Sequence, residues 1–303
     1  MNIAIVIPVF RPDGRLKMCI ERLLRQSVMP DRILLNVLYE NPVDREIPEV
    51  YMDERIEVRY TPREEYDRAG SRDTILRELD SDIVIFMVQT AIPQNRYLVE
   101  KLTEPFKEKR TAVVYGRHMT DDECSPIECC VRQFNYPPKG MTKSLEDAGK
   151  LGIRTFFNSN AYRRRAYLET EGFGKRMIAG EDMLAARRLL EKGWQAVYAP
   201  EAEVIYYRND DLHGLWKRNF DIGVAHAEHP EMLENTKPGK EGVRLVRVTS
   251  ALLRQNHMEE YLGEVLTRSI VRYLAYQLGR NYERLPEGVV RKCSANKEYW
   301  EKK

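Results

Sequence analysis

The chain lacks the cysteine patterns that build small scaffolds. Cys19, Cys124, Cys129, Cys130 and Cys293 are odd in number and contain no CxxC spacing. That excludes a zinc ribbon and a disulfide framework, and it fits a reducing compartment. Adjacent Cys129-Cys130 read as ordinary thiols on a helix. No apolar run approaches the roughly 20 residues that a membrane span requires. Met1 leads directly into a strand, without a basic, apolar and then small-residue leader, so the expected location is the cytoplasm. Charge of one sign is also missing: 49 Lys and Arg against 47 Asp and Glu give +2. Such a balance creates no whole-molecule field for a polyanion, and nucleic acid is not an expected partner. No fixed-period repeat or low-complexity run is present. Finally, no GxGxxG follows the first apolar segment, where Pro8-Val9-Phe10-Arg11-Pro12 stands instead. This argues against a dinucleotide-dependent dehydrogenase.

What is present alternates. Residues 2–10 form a short, mostly apolar run of the kind that fills a strand buried on both faces. Helical spacing follows over 15–27, then strands over 33–38 and 56–60, a helix over 70–79 and another buried strand over 82–88. A helix around 94–108, a strand at 112–115, a helix near 181–192 and a strand at 195–198 continue the pattern. Strand–helix alternation from the first residues predicts an α/β fold with a mainly parallel sheet. Ligands in such sheets bind beyond the carboxyl ends of the strands, which directs attention to Pro8–Arg11, Val37–Asn41 and Gln89–Asn95. Residues 116–160 read as a long irregular stretch, a length that is more often functional than idle. From about residue 245 the pattern is helical and basic, with 12 Lys and Arg against 7 Asp and Glu over 244–303. The expected division is a catalytic domain over 1–230 and a helical C-terminal extension over 231–303.

Three groups could carry chemistry. Gly180-Glu181-Asp182 opens a helix; its acids could simply stabilise free backbone N–H groups there, or Asp182 could serve as a general base. Arg72-Asp73, after Gly70-Ser71, could lie near phosphates or form a solvated helix start. Arg163-Arg164-Arg165 could bind phosphate, although a charge run is more often a solvated face.

Several segments together resemble family 2 glycosyltransferases, in particular the rhamnosyltransferase branch of bacterial surface-polysaccharide synthesis. They are Tyr66-Asp67-Arg68-Ala69-Gly70-Ser71-Arg72-Asp73, Arg132-Gln133-Phe134-Asn135-Tyr136-Pro137, Leu151 to Asn160, Gly180-Glu181-Asp182 and Arg218 to Val224. The tail from Tyr276 to Trp300 is similar as well, so the likeness runs in order through the chain. The resemblance implies a GT-A-like, Rossmann-type nucleotide-sugar domain acting with inversion, and a donor such as dTDP-L-rhamnose. It implies Asp182, beside Glu181, as the base, and a saccharide or lipid-linked acceptor. Donor contacts are expected from Pro8, Val9, Asn36, Arg72, Gln89, Thr90, Arg163 and Arg208. The basic amphipathic tail could rest on the inner face of an anionic membrane.

The sequence departs from the family pattern where a metal would bind. Thr90 occupies the position of the usual Asp, and Tyr207 falls where a His is common. Neither is a normal ligand for Mg²⁺ or Mn²⁺. Two expectations follow. The chain is a transferase whose cations, from among Arg72, Arg163, Arg208 and Lys217, replace the metal; or it is a non-catalytic homologue that binds a saccharide or scaffolds another transferase.

Overall fold

The computed structural model describes residues 1–45, 53–121, 123–147, 159–206, 210–233 and 238–301. Among them a nine-stranded sheet forms the centre. Strand β1 (Ile3–Val9) is parallel to β2 (Arg32–Tyr39) and to β4 (Ile83–Met87), and β3 (Ile56–Pro62) joins β2 in parallel. The apolar runs of β1 and β4 are buried on both faces, as continuous hydrophobicity requires of central parallel strands. The remaining strands are β5 (Ala91–Pro93), β6 (Thr111–Met119), β7 (Met141–Lys143), β8 (Ser159–Arg163) and β9 (Gln195–Tyr206). Strand β8 lies antiparallel between β4 and β6, and β6 pairs with β9 in parallel. The sheet is therefore mostly parallel in its first half and mixed in its second.

Helices cover both faces. On one side α1 (Gly14–Leu23) and α3 (Leu98–Thr103) bury Leu16, Ile20, Leu98 and Leu102 in one core with the sheet, α3 lying over β9 and β6. A short helix α4 (Pro126–Asn135) occupies part of the stretch expected to be irregular; Ser125 caps it by accepting the Glu128 N–H, and Pro126 opens it. On the other face α2 (Arg68–Glu78), α5 (Arg164–Leu168) and α6 (Glu181–Glu191) pack around Tyr162, Tyr167, Phe173 and Leu184.

The C-terminal helices are α7 (Leu212–Glu228), α8 (Pro238–Gln255), α9 (Leu262–Arg280), α10 (Glu287–Cys293) and α11 (Lys297–Glu301). They share cores with what precedes them. Ile127 and Val131 of α4 pack with Leu253 of α8 and Val265 of α9, and Ile178 packs with α7, α9 and α10. Helices α7 and α9 approach so closely that a Cβ at Gly223 or Gly279 would collide with backbone of the other helix. Glycine at both positions is what lets the backbones meet.

Candidate active site

The carboxyl ends of β1, β2 and β4 open into a cavity of about 2020 Å³. Ligand pockets for drug-sized molecules are roughly 300–1,000 Å³, so this one has room for two substrates together. Pro8, Phe10, Leu38, Arg63, Val88 and Gln89 wall the strand end. The Phe10 ring lies under the Arg63 guanidinium at 4.7 Å, a flat apolar surface with a cation over it. Arg68, Arg72, Arg176, Gly180 and Met183 form the wall beside α2 and α6, and Arg218, Asp221, Tyr276 and Tyr299 the wall of C-terminal helices.

The acids singled out in the sequence lie just behind that wall. Gly180 adopts φ +83, a left-handed turn that glycine takes at little cost, and it turns the chain into α6. Glu181 and Asp182 then fall inside the protein, both fully buried. They are paired. Arg72 donates from Nη2 to Asp182 Oδ1 at 2.8 Å, and from Nη1 to Asp182 Oδ2 at 2.9 Å and Glu181 Oε1 at 3.0 Å. Tyr162 donates to Asp182 Oδ1 at 2.6 Å, and Arg68 Nε lies 2.6 Å from Glu181 Oε1. The Arg72 guanidinium is also held between the Phe86 and Phe173 rings, 4.5 Å from each. Two cations meet two anions, so the cluster is neutral as a whole.

Burial alone would raise the Asp182 carboxyl; the Arg72 charge and the hydrogen bonds from Arg72 and Tyr162 outweigh it and hold the group below its ordinary value. A depressed carboxylate stabilises the fold above its unfolded-state pKa and loses that contribution as pH falls through the folded value. Asp182 thus ties the fold to pH above the carboxylate range.

The other expected donor contacts separate into two groups. Pro8, Arg72 and Gln89 line the cavity. Val9 is buried beneath it, and Asn36 is buried with its Oδ1 accepting from Thr61 at 2.8 Å, so neither faces the cavity. Arg163 is placed elsewhere. It pairs with Ile83 at the opening of β4, and its guanidinium donates to the carbonyls of Phe106, Glu108 and Thr111. Arg164 likewise donates to the carbonyls of Leu76 and Arg77, and Arg165 lies over the Trp194 ring, so the run that could have bound phosphate does not line the cavity. Lys217 does not line the cavity. Tyr207 and Arg208 lie outside the described residues, as do 151–158 of the matching segment.

The metal position fails a chemical test at its first ligand. Gln89 uses both ends of its amide on Phe10, accepting from its N–H at 2.9 Å and donating to its carbonyl at 3.1 Å. Thr90 sits in the turn beyond it, outside the cavity wall. Among the described residues no three His, Cys, Asp or Glu side chains are grouped so as to hold an ion. The described residues at the first ligand position do not fit Mg²⁺ or Mn²⁺.

Sequence reasoning missed two features of the cavity. Arg176 has φ +52, unusual for a residue with a side chain; its N–H donates to Asp67 Oδ2 at 2.8 Å while its side chain lines the cavity. His118 and Tyr136 stack at 4.4 Å with the Tyr136 hydroxyl 2.8 Å from His118 Nδ1, and both line the cavity. The signal available for Tyr136 was its place in the Arg132–Pro137 segment.

Two groups on the helical wall titrate in opposite senses. Burial pushes the Asp221 carboxyl up to about 6, and burial with the nearby Arg280 charge pulls His226 down to about 4. From about pH 4 to 6.5 the unfolded chain protonates a histidine that the folded chain keeps neutral, so His226 makes stability rise with pH. Asp221 keeps a proton in the folded state from about pH 4 to 6, so it makes stability fall with rising pH. Asp221→Asn is therefore expected to raise stability at pH 7 by up to about 3 kcal/mol, and to steepen the rise from pH 4 to 6.5. Thermal unfolding at several pH values checks this; a lower midpoint at pH 7 would contradict it.

Comparison with known proteins places this geometry. Residues 1–221 match the family described as "Glycosyltransferase like family 2". An O-antigen chain rhamnosyltransferase of Salmonella typhimurium is 29% identical over 99% of this chain and 96% of its own length. Another, from Salmonella anatum, is 31% identical over 91% of this chain and 88% of its own. Among solved structures, a mannosyltransferase of Pyrobaculum calidifontis in complex with GDP-Man and Mn²⁺ covers 94% of this chain and 88% of its own, at TM-score 0.63 and 10% identity. The TarS protein of S. aureus in complex with UDP-GlcNAc covers 93% and 92%, at TM-score 0.53 and 11% identity. These two share the fold, a GT-A glycosyltransferase architecture. The chain belongs to glycosyltransferase family 2 and is a transferase enzyme.

Proposed function

We propose that the chain moves L-rhamnose, with inversion, from dTDP-L-rhamnose to a hydroxyl of a saccharide carried on a lipid, and does so without a metal ion. The observation that carries the site assignment is the Arg72–Asp182–Glu181 cluster directly behind a cavity at the carboxyl ends of parallel strands. The two Salmonella relatives support the sugar.

In this reading the acceptor oxygen attacks the anomeric carbon from the face opposite the diphosphate. The bond from carbon to phosphate oxygen breaks, its electron pair leaves with the nucleotide diphosphate, and the acceptor proton passes to Asp182. Asp182 Oδ1 accepts two hydrogen bonds but Oδ2 only one, so Oδ2 keeps capacity for an acceptor hydroxyl. Because Asp182 is enclosed, the hydroxyl has to reach Oδ2 past Gly180 and Met183, which line the cavity. The leaving diphosphate is met by Arg176, on the cavity wall; Arg72 stays with the two buried acids, on the acceptor side. A fixed cation facing the diphosphate stabilises developing charge as a metal would.

The lipid end of the acceptor has a surface to match. Helix α8 exposes Lys240, Arg244, Arg247 and Arg254, and α9 exposes Leu266, Ile270, Tyr273 and Leu274. Val243, Arg244 and Tyr273 belong both to this surface and to the cavity rim. Among the described residues no helix is long and apolar enough to cross a membrane. Contact with an anionic bilayer is therefore peripheral, on the cytoplasmic side, and co-sedimentation with phosphatidylglycerol vesicles but not phosphatidylcholine vesicles checks it.

Incubation with dTDP-L-rhamnose and a lipid-linked saccharide extract is expected to yield a rhamnosylated product of inverted anomeric configuration, read by NMR. Retained configuration, or turnover of UDP- or GDP-sugars in preference, would overturn the reading.

A further inference from the structure

Asp221 is an unusual residue for its position. It follows Phe220 in α7, a helix that shares an apolar cluster with Ile178 and Ala275, is only 5% exposed, and lines the cavity. One side of the carboxyl is held by the tail: Oδ2 accepts the Ala295 N–H at 3.0 Å, and the Ser294 side chain and the Asn296 N–H also act on the carboxyl as hydrogen-bond donors. The other, Oδ1, has no hydrogen-bond partner. A buried carboxylate oxygen without a donor destabilises the fold. A site kept at such a cost is a candidate for ligand contact.

Its surroundings suit a sugar. Tyr276 and Tyr299 line the same wall, offering aromatic faces for the C–H side of a pyranose, with the carboxylate to accept from its hydroxyls. The segment that fixes Oδ2 also spans the cavity. From Ala295 it runs through Glu298, which pairs with Arg63 at 2.9 Å, and Arg63 covers the Phe10 ring. Asp221 is thereby tied to the strand end of the cavity by a short strap of the tail.

We propose that Asp221 Oδ1 accepts a hydrogen bond from a pyranose hydroxyl, making α7 and the Ala295–Tyr299 strap a sugar subsite of the cavity. The proposal rests on the glycosyltransferase reading above. The chemistry is common to the donor's sugar and the acceptor's sugar.

The test compares the wild type with Asp221→Asn, a replacement of equal shape, by calorimetry with dTDP, dTDP-L-rhamnose and a set of methyl hexopyranosides. Unchanged dTDP affinity with about tenfold to hundredfold weaker dTDP-L-rhamnose binding supports the proposal and assigns the donor sugar. Unchanged binding of both nucleotides with a similar loss for a methyl hexopyranoside supports it and assigns the acceptor. Equal affinities of the two proteins for every probe overturn it. Failure of the wild type to bind either nucleotide overturns the reading of function beneath it. Thermal unfolding of Asp221→Asn separates a lost contact from a lost fold.

Discussion

Asp182→Asn is expected to lower kcat by about 10²–10⁴-fold while leaving donor affinity within a few-fold, the signature of a lost general base. The amide keeps the shape of the carboxylate but cannot take the acceptor proton. It also leaves Arg72 facing a single buried carboxylate, and breaking a buried ion pair costs about 3–5 kcal/mol. Stability and catalysis must therefore be separated. Glu181→Gln removes a charge from the same cluster, where Arg72 and Arg68 are also its partners. It should lose comparable stability yet retain far more activity, since Asp182 stays ionised. Equal activity losses in the two variants, tracking their melting temperatures, would make Asp182 a structural residue.

Replacing Arg72 should have the largest effect on the fold. Arg72→Met leaves two fully buried carboxylates beside each other, with Arg68 paired to Glu181. The expected loss is about 3–5 kcal/mol, or roughly 10 °C in melting temperature for a chain of this size. Arg72→Lys should not rescue it. A lysine ammonium cannot make the bidentate contact to Asp182 while lying flat between Phe86 and Phe173. Urea unfolding measures the loss directly. A lysine variant as stable and active as the wild type would refute the argument that the planar fork matters.

The first half of the sheet was legible because β1 and β4 are unbroken apolar runs, which only a doubly covered strand accommodates. Strand β8 was not. Ser159-Asn160-Ala161-Tyr162-Arg163 has no apolar run, yet its first four residues are buried, because it inserts between β4 and β6. The same insertion explains the misplacement of Arg163, whose neighbours are fixed by antiparallel register rather than by local sequence. Asp182 was legible as a helix-start acid and Arg72 as a cation after a glycine turn. Their meeting, 110 residues apart, is a product of tertiary packing that neither segment encodes alone. Asp221 lay within a matching segment but carried no local mark; its significance comes from Ala295, whose N–H takes one oxygen and leaves the other bare. Arg176 was likewise unmarked, since a left-handed arginine is visible only in φ.

In the proposed reading, cationic side chains hold the nucleotide-diphosphate donor in this cavity without a divalent ion. Calorimetric titration of the purified protein with dTDP-L-rhamnose in EDTA, repeated with Mn²⁺, checks this. The same affinity is expected in both, with a loss of about tenfold or more in EDTA on Arg176→Ala. Binding that appears only with Mn²⁺ would contradict it.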